Sequence, residues 1–376
     1  MSSELKVNKV SPESGTGVQL GDSGDTITIP AGATITNSGT ATGFGETDTN
    51  VFRNIIINGD MALAQRATSA AAKTSDGYYT MDRFEFAITS LGTWTFSQST
   101  DVPSAQGFAT SLKADCTSAD GSPAADDRIF LRQSFEGQNL QYLKKGTSSA
   151  VALTLSFWVK SNKTGTYICE LYDHDNSRHI NLSYTISSAS TWEKKTLTFA
   201  GDTTGAFTND ENLSLHVAWW LGAGSTYTSG TLQTAWGSAT NANRAVGQVN
   251  LADNTSNEWY MTGAQLEVGE NASDFAIVPF EVTFERCKRY YEVVEGGKTF
   301  YNSGTHDPQV TVPYSVKKRA SPTLTKESST ENCASSVSVV AGQLTATING
   351  QVKANNAFAT GANKLFYARF NADAEL

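Results

Sequence analysis

A chain of 376 residues is long enough for two or three folding units, at least one with a sizeable core. Only 17% of the residues are charged and the formal net charge is −9, so there is no basic stripe to neutralise phosphates, and nucleic-acid binding is not expected. No stretch approaches the roughly 20 apolar residues of a membrane span, and Met1-Ser2-Ser3-Glu4-Leu5-Lys6 lacks a signal peptide's apolar core, so the expectation is cytosolic synthesis without membrane insertion.

Residues 1–50 are rich in Gly, Thr and Ser, with short alternating apolar positions at Val18/Leu20, Ile27/Ile29 and Ile35. Strands this short cannot enclose a core singly, which predicts that identical chains wind together and that the segment serves oligomerisation and attachment. Gly21-Asp22-Ser23-Gly24 has the letters of a serine-protease nucleophile motif, but no histidine precedes His174. The order of a triad is missing, and a turn is the reading.

From 51 to 279 the pattern changes to longer strands of period two. Leu153, Leu155, Phe157 and Val159 share one parity, as do Ile180, Leu182, Tyr184 and Ile186, and Leu213, Leu215, Val217, Trp219 and Leu221. Many such strands with hardly a helical stripe predict an all-β fold, an antiparallel jelly roll or β-sandwich. The same parity turns Trp158 away from the core, beside Thr154 and Ser156, and sets Trp220 opposite Trp219, with His216 and Ala218. An indole face covers a pyranose ring while neighbouring polar groups bond its hydroxyls, which makes Trp158, His216 and Trp220 the candidate glycan-binding residues. The competing reading packs both rings against another protomer or domain.

The remaining motifs point away from chemistry. Asp173-His174-Asp175-Asn176-Ser177-Arg178-His179 begins like a calcium loop, yet Arg178 stands where glycine is needed and Tyr184 where a bidentate Glu belongs, so a polar hairpin is expected. His174 and His179 have no visible partner ligands, the carboxylates lack a glycosidase pairing, and Glu267 is read as ordering a turn. No catalytic residue, metal or cofactor is expected. Cys116, Cys169, Cys287 and Cys333 are scattered without CxxC spacing and read as small core residues.

Phe280, Phe284, Cys287 and Tyr291 fall on one helical stripe, with Glu281 and Glu285 early and Lys288 and Arg289 late, which predicts one linking helix over 280–296. Val310, Val312, Tyr314 and Val316, then Leu344, Ala346 and Ile348 running into Asn349-Gly350, a strong hairpin signal, predict a small antiparallel β domain over 297–376. Lys317-Lys318-Arg319 reads as a solvated turn.

Particular blocks are familiar. Asn54-Ile55-Ile56-Ile57-Asn58-Gly59-Asp60-Met61-Ala62-Leu63-Ala64-Gln65-Arg66, followed by Tyr79-Thr80-Met81-Asp82-Arg83-Phe84, resembles the opening of a domain recurrent in bacteriophage tail fibre and related structural proteins. The resemblance continues through Leu131-Arg132-Gln133-Ser134-Phe135-Glu136-Gly137, Leu153-Thr154-Leu155-Ser156-Phe157-Trp158-Val159-Lys160-Ser161, Thr191-Trp192-Glu193, Thr262-Gly263-Ala264-Gln265-Leu266-Glu267-Val268-Gly269 and Glu285-Arg286-Cys287-Lys288-Arg289-Tyr290-Tyr291. Val7-Asn8-Lys9-Val10 with the segment 21–30 is similar to the start of marine-phage fibre proteins, and the middle domain is similar in fold to carbohydrate-binding modules. The resemblance implies a virion tail fibre, made in the host bacterial cytoplasm, that is a homotrimer, joins other tail proteins and adheres to host-surface glycan by avidity. The rival readings are a neck, capsid-surface or tail-adaptor protein without a receptor, and a polysaccharide-cutting tailspike.

Overall fold

The computed structural model describes residues 53–301, 309–331, 336–340, 349–355 and 363–376. The expectations for residues 1–50, for Cys333 and for Leu344, Ala346 and Ile348 lie outside the described residues. The first sheet has the order β1 (Ser69–Lys73), β3 (Thr93–Ser99), β4 (Ser111–Ser118), β12 (Glu258–Val268), β6 (Leu153–Ser161), β9 (Glu193–Phe199). The second has the order β11 (Gly237–Ser238), β8 (Arg178–Ile186), β7 (Gly165–Asp173), β10 (Leu213–Ala223), β5 (Arg128–Glu136), β2 (Glu85–Thr89). Their strand pairings are antiparallel, and the two sheets form the predicted sandwich of jelly-roll type.

Period two builds the core as expected. Leu155, Phe157 and Val159 of β6 meet Val217, Trp219 and Leu221 of β10 and Ile180 and Ile186 of β8 in one buried cluster. Phe157 meets Trp219 edge-on at 5.9 Å between ring centroids, and Phe86 stacks on Phe96 at 3.5 Å. Each fully buried side chain of this size stabilises by roughly 1.5–3 kcal/mol. Cys116, Cys169 and Cys287 are free and buried, as small core residues.

Two further sheets follow, β13 (Tyr291–Tyr301), β18 (Asn363–Asp373), β15 (Thr323–Glu331) and β14 (Gln309–Pro313), β17 (Asn349–Asn355), β16 (Ser336–Val340). They belong with the sandwich to one compact unit, residues 50–376. The helix is shorter than the 280–296 read from sequence: it spans Phe280–Lys288, and Tyr291 already opens β13. Tyr290 and Tyr291 leave the helical stripe because their rings have other partners, lying under the guanidinium groups of Arg83 at 3.4 Å and Arg66 at 3.7 Å. At the other end Phe280 is exposed.

Asn349-Gly350 is not a turn. Both residues begin β17 and pair with Pro313 and Val312, so sheet pairing overrides the local turn preference. The cluster Lys317-Lys318-Arg319 is solvated only in part: Lys317 is exposed, but its neighbours are not free. Lys318 is fully buried, donating from Nζ to Glu292 Oε2 and to the Lys288 carbonyl at 2.5 Å each, while Arg319 donates to the carbonyls of Ala374 and Glu375 at 2.9 Å.

The blocks that carry the family resemblance converge on the seam between the sandwich and these sheets. Asn58, held at φ 62, accepts from Leu63 N at 2.9 Å and donates to the Leu63 and Asp82 carbonyls at 2.9 and 3.1 Å. Gly59 must be glycine, because a Cβ there would stand 2.0 Å from the Ala264 carbonyl oxygen. Gln133 exchanges both amide bonds with Ile57, at 2.7 and 2.9 Å, and Arg83 binds Glu375 and the Ser134 carbonyl. Glu136 accepts from Arg289 at 2.8 and 2.6 Å and from Tyr290 Oη at 2.5 Å. These motif residues satisfy one another's buried polar groups, so Asn58, Arg83, Gln133 and Glu136 serve the fold itself.

Candidate functional site: the open face of the first sheet

The core side of β6 and β12 is fixed by Phe157, Val159, Trp259 and Met261, so the alternate positions must face outward. Strand register aligns them in two rows. Lys113, Tyr260 and Lys160 are cross-strand partners, and Thr262, Trp158 and Lys194 form the next row. Trp192, just before β9, closes the first row: its ring meets Tyr260 edge-on at 6.2 Å and its Nε1 donates to Asp101 Oδ1 at 2.9 Å. The ammonium of Lys160 lies 4.2 Å from the Tyr260 centroid and 5.6 Å from that of Trp192, and is paired with Asp101.

Charge on this face is balanced by pairing. Lys113 Nζ stands 2.8 Å from Glu258, and Tyr260 Oη donates to the same carboxylate at 2.9 Å. Burial would raise Glu258, but hydrogen bonds from Lys113 and Tyr260 outweigh it and hold the carboxyl below its ordinary range. Burial and the Glu258 carboxylate push the Tyr260 phenol up to about 12, so it remains a donor at neutral pH.

Beside the second row lies a pocket of about 280 Å³. The half-buried Trp158 forms one wall, Phe108 and Phe275 meet edge to face at 5.2 Å on another, and Asp60, Gln106 and Lys194 supply polar groups. A bulge in β12 makes room: pairing with β6 slips between Thr262 and Gln265, and Gly263 takes φ +62. A Cβ at Gly263 would come 2.5 Å from Phe108 Cζ, so glycine lets that ring lie against the strand. Burial raises the Asp60 carboxyl above its ordinary value despite backbone amide bonds. A half-buried indole bordered by amide, ammonium and carboxyl groups can stack on a sugar ring and bond its hydroxyls.

Trp158 thus stands where parity placed it, on the outer side of the sheet, half-buried among the buried outward side chains of Ser156, Lys160 and Thr262. Trp220 and His216 also point away from the core, as the pattern required, but both are buried. Residues 224–250 fold over the outer face of the second sheet, and Tyr227 and Ala245 pack with Trp220, Phe130 and Ile168. The cover is this chain itself, neither a ligand nor another protomer. His216 Nδ1 lies 2.8 Å from His174 Nε2, and its Nε2 is 3.7 Å from Glu170. Because β10 belongs to the second sheet and β6 to the first, the three residues lie on opposite faces and form no common platform. Period two reports the side a residue faces, not what covers that side.

The sequence reading passed over Tyr260 and Trp192, although Tyr260 sits between the core residues Trp259 and Met261 and was accessible to the same parity. Asp173-His179 is the expected hairpin: Asp173 pairs with Arg178 across it, accepts from Asn176 N at 3.1 Å and lies 2.5 Å from Lys145 Nζ. Glu267 orders a turn, accepting from Ser273 N at 2.9 Å and from Gln265 Nε2 at 2.8 Å. Among the described residues no three His, Cys, Asp or Glu side chains are grouped to hold a metal, and no helix is long and apolar enough to cross a membrane.

No family model and no curated protein matches the chain. Among solved structures, the enzymatically active domain of bacteriophage CBA120 tailspike protein 4 is similar over 58% of this chain and 22% of its own, at 12% identity and TM-score 0.30. The chain therefore spans about a fifth of that tailspike structure. A putative sugar binding protein from Bacteroides thetaiotaomicron is similar over 57% of this chain and 100% of its own, at 11% identity and TM-score 0.29. The family 11 carbohydrate-binding module of a Clostridium thermocellum cellulosomal cellulase is similar over 54% and 99%, at 13% identity and TM-score 0.27. At these TM-scores the likenesses carry no argument about ligand or location, and the functional reading rests on the residues.

Proposed function

We propose that this chain is a non-catalytic glycan-binding protein of a bacteriophage tail fibre, working as a homotrimer whose sandwich meets host-surface sugar through the pocket at Trp158. The observation that carries the glycan reading is the half-buried indole of Trp158 in a pocket shared with Phe108 and Phe275, with Tyr260 and Trp192 in the neighbouring row. Aromatic rings in this setting offer apolar area to the C–H faces of a sugar, while Lys194, Gln106 and Asp60 reach its hydroxyls. The fibre reading rests on the block resemblance over residues 54–291 and on the short apolar pairs of residues 1–50. Three modest sites on one trimer would act together, so weak single-site affinity is compatible with firm attachment.

The test is a glycan array probed with the purified chain and with Trp158→Ala. The wild-type protein is expected to retain a defined set of surface polysaccharides, and the variant to lose about 2 kcal/mol or more, roughly thirtyfold in Kd, with its fold intact. Incubation with the retained polysaccharide is expected to release no reducing ends. An adaptor without a receptor would bind nothing on the array. Light scattering is expected to give three chain masses for the full-length protein, and a folded monomer would overturn the trimer.

A further inference from the structure

A second cavity, of about 510 Å³, opens at the seam where the helix Phe280–Lys288 meets the sandwich, and it shares no residue with the Trp158 pocket. Its size falls within the roughly 300–1,000 Å³ of small-molecule sites. Two arginines and one carboxylate line it. Arg289 is committed to Glu136, at 2.8 and 2.6 Å, and Glu136 is further occupied by Tyr290 Oη and Gln138 Nε2 at 2.5 Å each. Burial would raise the Glu136 carboxyl, yet Arg289 and Tyr290 outweigh it and keep it ionised below its ordinary range.

Arg286 has no such commitment. Among the described residues no carboxylate or hydrogen-bond acceptor pairs with it, although half-buried arginines elsewhere in this fold, Arg66 and Arg132, each hold an acid. Burial depresses its guanidinium, and the nearby Arg83 charge adds to the effect. An unpaired, half-buried cation facing a cavity breaks the pairing rule that the other arginines here obey, and such local departures are expected at functional sites. Around it stand the half-exposed ring of Tyr142 and the exposed amides of Gln138 and Asn139.

We propose that this pocket takes a carboxylate-bearing sugar unit, its carboxylate forked by Arg286, its ring against Tyr142 and its hydroxyls toward Gln138 and Asn139. The planar guanidinium matches a carboxylate with two parallel hydrogen bonds, which an ammonium does not. The ring and amides add what a bare anion would not use. The site is independent of the open sheet face, and Arg286 variants leave Trp158 and its pocket untouched.

Calorimetric titration of the full chain with D-glucuronate and N-acetylneuraminate tests the assignment, with D-glucose and inorganic phosphate as comparison arms. Saturable binding of at least one acid sugar and none of glucose is expected. Arg286→Gln is expected to weaken that binding about tenfold or more, with Arg286→Lys intermediate. The melting temperature of Arg286→Gln without ligand is expected to equal or exceed the wild-type value, because an uncompensated charge is removed. Absence of acid-sugar binding, unchanged binding in Arg286→Gln, or phosphate binding as tightly as the sugars would each overturn the proposal. A lowered melting temperature would show Arg286 to be structural and would overturn it too.

Discussion

Replacing Arg83 with alanine is expected to cost about 3–5 kcal/mol of unfolding free energy, read as a lowered urea midpoint by circular dichroism, because the change strands a buried carboxylate. Arg83 is 1% exposed and sits at φ 73, a conformation that a non-glycine residue keeps only when its surroundings over-determine it. They do. Its guanidinium pairs with Glu375, donates to the Ser134 carbonyl at 2.6 Å and lies 3.4 Å from the Tyr290 ring centroid, so one side chain ties β5, the helix end and the last residues together. The exposed pair Arg369–Glu327, at 2.9 Å, is the contrast. Arg369→Ala is expected to cost less than about 1 kcal/mol, since solvent already screens that pair.

Glu170→Ala is the second large loss, again about 3–5 kcal/mol, because Arg244, reaching in from the covering segment, would be left buried without its partner. The carboxylate is fully buried and grips Arg244 at 2.7 and 2.8 Å. A double replacement by apolar residues of similar volume, Glu170→Leu with Arg244→Met, is expected to recover much of the loss, since neither charge is then stranded. The same cluster makes stability fall in acid. Burial depresses His174 to about 4 and His216 to about 3, overriding the Glu170 carboxylate 3.7 Å from His216. Both are neutral in the folded chain, so below the ordinary histidine value of 6.5 the unfolded chain takes up protons first, and stability declines until pH reaches the folded values.

Glu170 adds to this decline with the same sign. Burial would raise it, but Arg244 outweighs burial and depresses it, so its contribution is whole above its ordinary value of 4.5 and is lost as pH falls below that. Thr240 N donates to His179 Nε2 at 3.2 Å, and protonation there would remove the acceptor that helps hold the covering segment. Urea midpoints measured from pH 7 to pH 3 are expected to fall throughout, and less steeply in His174→Gln. A flat profile would contradict neutral, buried imidazoles.

How much of this was legible in the sequence follows from the range of each signal. Alternation along a strand is a local property, and it assigned Phe157, Val159, Val217 and Trp219 to the core and Trp158 to the outside correctly. Tyr260 was legible by the same rule. What covers an outer face depends on distant chain, so the burial of Trp220 under residues 224–250, which show no strand period, was not. The pairing of Arg83 with Glu375 spans 292 positions, and nothing local marks either residue as the other's partner. Asn349-Gly350 and Lys317-Lys318-Arg319 mislead for a related reason: turn preference and surface preference are worth about 1 kcal/mol or less, and strand pairing or a buried Glu292 outweighs them. Phe108 and Phe275 come from loops, and Phe108 can lie against β12 because Gly263 carries no Cβ at the bulge, a backbone event that periodicity does not report.

Tryptophan fluorescence during titration with host-surface polysaccharide tests the glycan-binding face most directly. Trp94, Trp219, Trp220 and Trp259 are fully buried, so a ligand-induced change must come from rings nearer the surface, with Trp158 foremost. A saturable change that disappears in Trp158→Ala and is partly restored in Trp158→Phe is the predicted result. An unchanged titration in Trp158→Ala would contradict the account.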